Sequence, residues 1–455
     1  MKIVKISLII ILMLGSFSCS EELEKINVDP NKVSDISGEN LFNGITLANT
    51  AAQAGYLNLA GGVVSGYFVG DGRLSFIQNY QFVNTDTNTP WRNIYVGVVK
   101  QARIIRSGIP VANKNFFYGA SKVVEAHAIA TAASVFGDVP YTEAGNEEGI
   151  PPAFDGQLSV YSSLQSLLDG AISDLQSANT SGGIDEDSYF GGNSSRWIKA
   201  AYTLKARLYL ETRDYAAALS AAQNGISLAS ESMEFTGKNL LNELKVSSTF
   251  SNDATVSGTY LIDLVGAGSR NNAKTDEADR AAYYYDGNEL NLDGIAASDA
   301  PTPLITLEEN LLTWAEALIR TGSGNFDAAL AKLNEHRANL RNGVYFPSNS
   351  GVYDNYVSAD FEAAGIENAD SSLSKENALL REIIEERYAS FLNQVLGFID
   401  IRRLEKDPAA VQVPVPYNTG SQRPQRFLYP FDEINTNGDN VPDITDIFVK
   451  TPVNQ

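Results

Sequence analysis

The fold is decided by a stretch in the middle of the chain, residues 197–226, which reads WIKAAYTLKARLYLETRDYAAALSAAQNGI. Its apolar residues recur at i, i+4, i+7 and i+11, the spacing of one face of an α-helix. They are Trp197, Ala201, Leu204 and Leu208. A second helical segment, Tyr215 to Ile226, follows after the short turn ETRD. The stretch therefore predicts two antiparallel helices joined by a short turn.

Large and small residues stand at fixed offsets in this pair of helices, namely Tyr202, Ala206, Tyr209 and Ala218. Small residues let two helices approach closely, while large ones fill the gap to the next pair. The pattern resembles a tetratricopeptide repeat. It recurs around residues 309–337, with a buried stripe and two small contacts: Leu307, Leu311, Trp314, Leu318, Ala317 and Ala329. The alternative is two amphipathic hairpins that form no repeat.

The rest of the chain extends this pattern to an all-α fold of tetratricopeptide-like helical hairpins. The hairpins are expected at about 91–136, 159–229 and 306–340, after a first helix within 39–60, and one long helix is expected to carry residues 385–403. Irregular excursions are expected at about 231–304, 341–374 and 405–455. Such long excursions in a compact domain usually carry function. We therefore expect a single domain over residues 39–455 with ligand-binding excursions.

The first residues have the order of a secretory signal peptide, with Lys2 and Lys5 before an apolar run and small residues before Cys19. The apolar run is far shorter than the ~20 residues of a membrane-spanning helix. Cys19 is the one cysteine of the chain, and its context resembles the lipobox of bacterial lipoproteins, in which the thiol is acylated. The alternative is a cysteine of no consequence in a discarded peptide. We predict a signal peptide at 1–18 and an anchor with its linker at 19–38.

Two acidic residues, Glu21 and Glu22, follow Ser20 directly after this cysteine. The run resembles the export signal that sends some lipoproteins to the outer face of the outer membrane, and the alternative is a short solvated linker. Two or more acyl chains anchor a protein stably. The predicted location is therefore the outer membrane, lipid-anchored and facing the cell exterior.

The composition of the chain excludes some classes of binding partner. The formal charge of −21 argues against nucleic acid and anionic headgroups, which are bound by clustered Lys and Arg. Aromatic residues make up 10% of the chain, which suits both a tight core and surfaces for stacking sugar rings. The composition does not exclude neutral ligands.

The sequence contains no enzyme signature: HExxH, GxSxG and a phosphate-binding glycine loop are all missing, and there are two histidines. Residues 435–443, NTNGDNVPD, superficially resemble a calcium loop. An EF-hand needs glycine and glutamate where this chain has Asn440 and Asp446, so an Asx-rich turn is the better interpretation. We predict a binding protein without catalytic residues, metal or cofactor.

Six features in sequence order resemble the SusD/RagB family. They are the start that is predicted to be acylated, INVDPN at 26–31, FGDVPYTEA at 136–144, the AEA helix at 315–317 with NEHRANL after it, EERYASF and GFIDIRR within 385–403, and RFLYPFDEINTN at 426–437. The INVDPN start is more similar to the divergent branch of that family. GFIDIRR lacks the Arg-aromatic pair that usually precedes the aspartate.

The resemblance implies a helical-hairpin lipoprotein at the cell surface that captures a nutrient, most often a glycan. It also implies a partner, a SusC-like TonB-dependent transporter that imports the nutrient. The alternative is a helical-repeat lipoprotein that binds a peptide or protein and no glycan.

Sugars are held by aromatic rings against their C–H faces, with amides and carboxylates fixing their hydroxyl groups. Two stretches offer this chemistry. The first supplies Tyr67, Phe68, Asp71, Arg73, Asn79 and Tyr80. The second supplies Tyr283, Tyr284, Tyr285 and Asn288; three adjacent tyrosines are not expected to face the core together. Trp91 and His127 are assigned to the core.

Overall fold

The computed structural model describes residues 37–108, 110–145, 150–179, 183–236, 253–347 and 351–455. The predicted signal peptide, the predicted lipidation site Cys19 and INVDPN lie outside the described residues. Within the described ranges, no helix combines the length and the apolar character needed to cross a membrane.

Most of the described chain is helical. The α-helices are α1 Gly38–Ala54, α2 Tyr56–Val64, α3 Ser75–Gln78, α4 Asn88–Arg92, α5 Lys100–Arg106, α6 Lys114–Phe136, α7 Gln157–Gln176, α8 Ser194–Glu211, α9 Tyr215–Ala222, α10 Ala278–Tyr284, α11 Leu307–Arg320, α12 Phe326–Arg341, α13 Lys375–Ser390, α14 Leu396–Arg403 and α15 Phe431–Asn437. A π-helical segment, Asn93–Val99, joins α4 to α5.

Consecutive helices pack side by side, so that α6 lies on α7, α7 on α8, α8 on α9, α9 on α11, and α11 on both α12 and α13. The small residues of the tetratricopeptide-like pattern are buried where these helices meet, including Ala206 and Ala218 in α8 and α9 and Ala317 in α11. Trp197 is fully buried in α8, with its ring edge-on to Phe42 at 6.0 Å. The predicted all-α fold of helical hairpins is confirmed.

The excursions carry short antiparallel strands rather than a sheet. The strands are β1 Val69–Gly70, β2 Met233–Phe235, β3 Ala254–Thr255, β4 Thr275–Asp276, β5 Tyr285–Asp286, β6 Glu289–Leu290, β7 Thr302–Ile305 and β8 Val352–Tyr353. They pair as β1 with β3, β2 with β7, β4 with β8 and β5 with β6. The β2–β7 pair brings the start of the first excursion back to the N-terminus of α11, with Glu234 opposite Pro303.

The prediction of one long helix through residues 385–403 is wrong. Helix α13 ends at Ser390 and α14 begins at Leu396. Between them Asn393 has a left-handed backbone with φ 64°, and its side-chain oxygen accepts a hydrogen bond from Asn58 Nδ2 at 2.8 Å. Asparagine tolerates this conformation better than most residues, so the break places residues 391–395 as a loop inside the protein.

A buried ionic network holds α11, α13 and α14 together. Glu316 of α11 accepts two hydrogen bonds of 2.7 Å from the Arg403 guanidinium. Asp400 accepts hydrogen bonds from Arg403 Nε at 2.7 Å and Arg387 Nε at 2.8 Å. Arg403 thus pairs with carboxylates. Arg402 instead donates to backbone carbonyls, those of Phe398, Gln425 and Ser134.

The C-terminal excursion is mostly irregular but contains α15, which covers Asn435 and Asn437 of the supposed calcium loop. The side-chain amides of Asn437 and Asn440 donate to the carbonyl oxygens of Pro152 and Pro151. The amides thus fasten the tail to the irregular segment before α7. Across the described ranges, no cluster of three or more His, Cys, Asp or Glu side chains could hold a metal ion.

Candidate functional site

A pocket of about 190 Å³ opens where the first excursion meets α11. Its walls come from β2 and β7, the N-terminus of α11, the C-terminus of α10, the chain after α12, and the loop between α13 and α14. The polar and aromatic lining residues are Ser232, Glu234, Tyr283, Tyr284, Glu308, Tyr345, Phe346, Ser390 and Gln394. Pockets that enclose drug-sized ligands have volumes of about 300–1,000 Å³, so this one suits a single terminal group.

Two hydrogen bonds fix the N-terminus of α11 at this pocket. Thr306 Oγ1 accepts from the backbone N–H of Glu309 at 3.2 Å, which caps the helix. Ser232 Oγ accepts from the backbone N–H of Leu307 at 3.0 Å. Since Ser232 directly precedes β2, these contacts place Glu308 in the first turn of α11 beside Glu234 of β2.

Glu234 and Glu308 are both half-buried. Among the described residues, neither carboxylate has an ion-pair or hydrogen-bond partner. Burial raises the pKa of Glu234 to about 7. The pKa of Glu308 rises to about 8 through burial, with a further rise from the charges of Glu234 and Glu386, against the opposing charge of Arg280.

Aromatic rings form the facing wall. The rings of Tyr283 and Phe346 stack with centroids 5.8 Å apart at 22°. Tyr345 stacks on His336 at 5.2 Å. Burial raises the pKa of Tyr283 to about 12, with a smaller rise from the charges of Glu308 and Glu234, which places this phenol within the field of both carboxylates.

A second ionic cluster lies beneath this wall and positions it. Glu386 of α13 accepts hydrogen bonds from Arg280 Nη2 at 2.5 Å and pairs with His336 Nε2 at 2.9 Å. Arg270 binds Glu277 at 2.5 Å and Glu382 at 2.6 Å. These groups are almost completely inaccessible to solvent, so the cluster fastens the first excursion, including α10, to α12 and α13.

An open depression of about 440 Å³ lies on the other side of α10 and β5. Two of the predicted ligand-binding residues, Tyr285 and Asn288, line it together with Asp263. The run of three tyrosines therefore divides between two concave surfaces, because the chain passes there from the end of α10 into β5. Tyr284 and Tyr285 are buried and Tyr283 is half-buried, so the three rings do not all lie in the core.

Three of the residues predicted in the first stretch belong to the core. Tyr67 is 0% exposed, Phe68 2% and Tyr80 8%. The hydroxyl of Tyr67 donates to the carbonyl oxygen of Tyr388 at 2.8 Å, and its ring lies so close to Gly397 that an added Cβ would be 2.2 Å away. These rings have no face free for a sugar, because Tyr67 packs against Gly397 of α14, Phe68 packs against Gly62 of α2, and Tyr80 lies edge-on to Phe448 at 6.2 Å.

The polar residues of the first stretch are exposed. Arg73 pairs with Asp253 at 2.5 Å, Asp71 caps a 3-10 turn through Gly72, and Asn79 Nδ2 donates to the carbonyl of Ser75. The segment after Asp253 is hydrogen-bonded to both stretches that were predicted to bind ligand. Its strand β3 pairs with β1 in the first stretch, and the backbone N–H of Val256 donates to the carbonyl of Asn288 in the second at 3.1 Å.

Sequence reasoning missed Glu234, Glu308, Tyr345, Phe346 and Gln394. Glu308 has the position of an ordinary first-turn acid that interacts with the helix dipole. Glu234 lies within a long stretch without periodicity. A possible signal was the isolated MEF segment at 233–235, an acid between two apolar residues, which is typical of a short strand with a polar side chain on one face.

A family model described as "SusD-like_2: Starch-binding associating with outer membrane" matches residues 30–258. The chain belongs to this SusD-like family. The match confirms the resemblance inferred from the motifs. SusD-like proteins are binding proteins, so the prediction that this protein is not an enzyme is confirmed as well. The predicted lipoprotein character and outer-membrane location fit the family description.

Solved SusD-like structures share this fold. A SusD/RagB family protein from Bacteroides thetaiotaomicron has a TM-score of 0.68 at 20% identity, over 89% of this chain and 95% of that one. A chitin-binding SusD homologue from Flavobacterium johnsoniae has a TM-score of 0.66 at 17% identity, over 91% of this chain and 97% of that one. A SusD homologue from Bacteroides fragilis has a TM-score of 0.66 at 18% identity, over 92% of this chain and 100% of that one. No curated protein matches the sequence.

Proposed function

We propose that this SusD-like protein is a cell-surface lipoprotein that binds an oligosaccharide and delivers it to a SusC-like TonB-dependent transporter. The observation that carries the proposal is the pocket in which Glu234, Glu308 and Gln394 face the stacked rings of Tyr283 and Phe346. Starch binding in the family description and chitin binding by a structural neighbour support a glycan as the ligand.

The pocket has the two kinds of group that a sugar ring needs. Aromatic faces contact the C–H groups of a pyranose, while carboxylates and an amide accept from or donate to its hydroxyl groups. Its small volume suits one terminal sugar unit, and the open depression lined by Tyr285 and Asn288 offers space for further units on the other side of α10.

Replacing Tyr283 with alanine is expected to weaken oligosaccharide binding about tenfold, because it removes one of the two stacked rings of the wall. Isothermal titration calorimetry with starch and chitin oligomers would measure this. The matched control is Tyr417→Ala, which removes a tyrosine that is 49% exposed and does not line the pocket.

A parallel titration with short peptides tests the alternative, a peptide-binding repeat protein. Binding of peptides with no response to any oligosaccharide would contradict the glycan proposal. Oligosaccharide binding that is equal in wild type and Tyr283→Ala would place the ligand elsewhere on the protein.

The anchor and the partner are tested together by replacing Cys19, the proposed acylation site. The Cys19→Ala variant is expected to leave the outer-membrane fraction with its fold intact, because no acyl chain then holds it to the bilayer. Wild-type protein purified from mildly solubilised outer membranes is expected to carry a TonB-dependent barrel in about one-to-one ratio. A variant that still reaches the surface and partitions into detergent would contradict the anchor, and wild-type protein without a barrel would contradict delivery.

A further inference from the structure

We propose that the pocket formed by Glu234 and Glu308 recognises a protonated amine, so that the preferred ligand is an oligosaccharide whose terminal unit carries a free amino group. The inference rests on the proposed function and makes its ligand class more specific. It depends on three observations: two neighbouring carboxylates, the absence of partners for them among the residues that the structure describes, and the aromatic wall opposite them.

The two carboxylates have no compensating charge of their own. Arg280 is the basic group that acts on Glu308, and its guanidinium is already engaged by Glu386 at 2.5 Å and Glu277 at 3.2 Å. The other basic side chains of this region, Arg270 and His336, contact glutamates of the same buried cluster. The described part of the protein therefore leaves Glu234 and Glu308 for a group that comes from outside.

Two adjacent acids without a partner are costly in a protein interior, because desolvation and mutual repulsion both disfavour their charged forms. Both effects are visible in the raised pKa of Glu308. A neutral hydroxyl group would donate a hydrogen bond to one carboxylate oxygen, but it would leave the repulsion between the two carboxylates uncompensated. An ammonium group offers three N–H donors and a positive charge, and it can bridge both carboxylates at once.

The aromatic wall favours the same kind of ligand. The faces of tyrosine and phenylalanine carry negative electrostatic potential and attract cations within about 6 Å. The charges of both carboxylates act on Tyr283, and the ring of Phe346 stacks on that of Tyr283. Rings of this kind also contact the apolar face of a sugar, so an amino sugar satisfies both sides of the pocket.

A divalent metal ion fits the pocket less well. Calcium takes six to eight oxygen ligands at about 2.3–2.6 Å, and the pocket supplies two carboxylates. The described ranges contain no cluster of three or more ligating side chains. The acids are therefore assigned to an organic cation.

The test is a calorimetric titration at pH 7.5, with EDTA present, using four probes: a glucosamine tetramer, its fully N-acetylated counterpart, maltotetraose and tetralysine. Wild-type protein is expected to bind the glucosamine tetramer at least tenfold more tightly than the two neutral oligomers. Glu234→Gln and Glu308→Gln keep side-chain volume and remove one charge each. In both variants the glucosamine tetramer is expected to bind no more tightly than the neutral oligomers.

Glu362→Gln is the matched control, because Glu362 is 57% exposed and does not line the pocket. Equal binding of amino and neutral oligomers, unchanged in both pocket variants, would overturn the amine inference and leave the proposed glycan function intact. Binding of tetralysine alone, lost in the pocket variants, would support amine recognition and contradict the glycan function. An amine preference that Glu362→Gln abolishes as strongly would overturn the assignment to this pocket.

Proton release gives an independent readout, because an ammonium group needs ionised carboxylates. The groups that face Glu308 from the surrounding elements are Arg280, Glu386, Tyr283, Tyr284 and Tyr345 besides Glu234. At pH 6.5 the free pocket holds protons on its acids, so binding of the glucosamine tetramer is expected to release protons into the buffer. Titrations in buffers of different ionisation enthalpy measure this release, which is expected to be smaller in Glu234→Gln and Glu308→Gln; an undiminished release in both variants would overturn the assignment to this pocket.

Discussion

Replacing Glu316 with alanine is expected to lower the free energy of unfolding by about 3–5 kcal/mol, because it leaves buried arginines without their counter-charge. Glu316 is 0% exposed and lies within 2.7 Å of Arg403, 2.8 Å of Arg320 and 3.5 Å of Arg387. Chemical denaturation with urea, followed by circular dichroism, would measure the change.

The same network predicts a pH dependence. Burial alone would raise the pKa of Glu316, but the charges of Arg403, Arg320 and Arg387 outweigh it and hold this pKa far below its usual value. A carboxyl group whose pKa is lower in the folded than in the unfolded protein binds fewer protons when folded. Its contribution is therefore present above about pH 4.5 and is lost as the pH falls below that value. The Glu316→Ala variant is expected to lose less stability than wild type on acidification.

Two further variants serve as comparisons for Glu316→Ala. Glu316→Gln keeps the volume and one hydrogen-bond acceptor, so an intermediate loss is expected. Glu335→Gln removes a glutamate that is 44% exposed and is expected to change stability by less than about 0.5 kcal/mol. A loss below about 1 kcal/mol for Glu316→Ala would show that Asp400 alone compensates Arg387 and Arg403.

This network explains why the fold could be predicted from the sequence. AEA at 315–317 supplies Glu316, EERYASF at 385–391 supplies Arg387, and GFIDIRR at 397–403 supplies Asp400 and Arg403. Three of the motifs that resemble the family are thus parts of one ionic core, which helical periodicity places on neighbouring helices. The motifs are informative about the fold because they hold it together.

The candidate site could not be predicted in the same way. Glu234 and Glu308 are separated by an excursion of more than seventy residues, and their proximity depends on the pairing of β2 with β7. Tyr67 and Phe68 lie in a glycine-rich stretch, and these glycines allow close packing: an added Cβ on Gly62 would be 2.6 Å from the Phe68 ring. Composition shows which residues can bind a sugar, whereas burial decides which of them can reach one.

Replacing Glu308 with glutamine is expected to have the opposite effect on stability, an increase of about 2–3 kcal/mol at pH 8. Glu308 lies on the same helix as Glu316 but has no ion-pair partner among the described residues, and its pKa is raised to about 8. Each unit of pKa shift corresponds to about 1.4 kcal/mol, and water at the mouth of the pocket reduces the full effect. Thermal unfolding of both proteins across a pH series would measure the difference.

The sign of the pH dependence follows from linkage. A carboxyl group whose pKa is raised by folding binds more protons in the folded state, so wild-type stability falls as the pH rises from about 4.5 to about 8. Glu308→Gln removes this dependence, so the two proteins are expected to be equally stable near pH 4 and to diverge towards pH 8. Glu309→Gln is the matched control, because the adjacent Glu309 is paired with Arg207 at 2.5 Å, and its loss is expected to destabilise the protein. If Glu308→Gln also destabilised the protein at pH 8, Glu308 would have a counter-charge in the folded state, and the pocket would not need a cationic ligand.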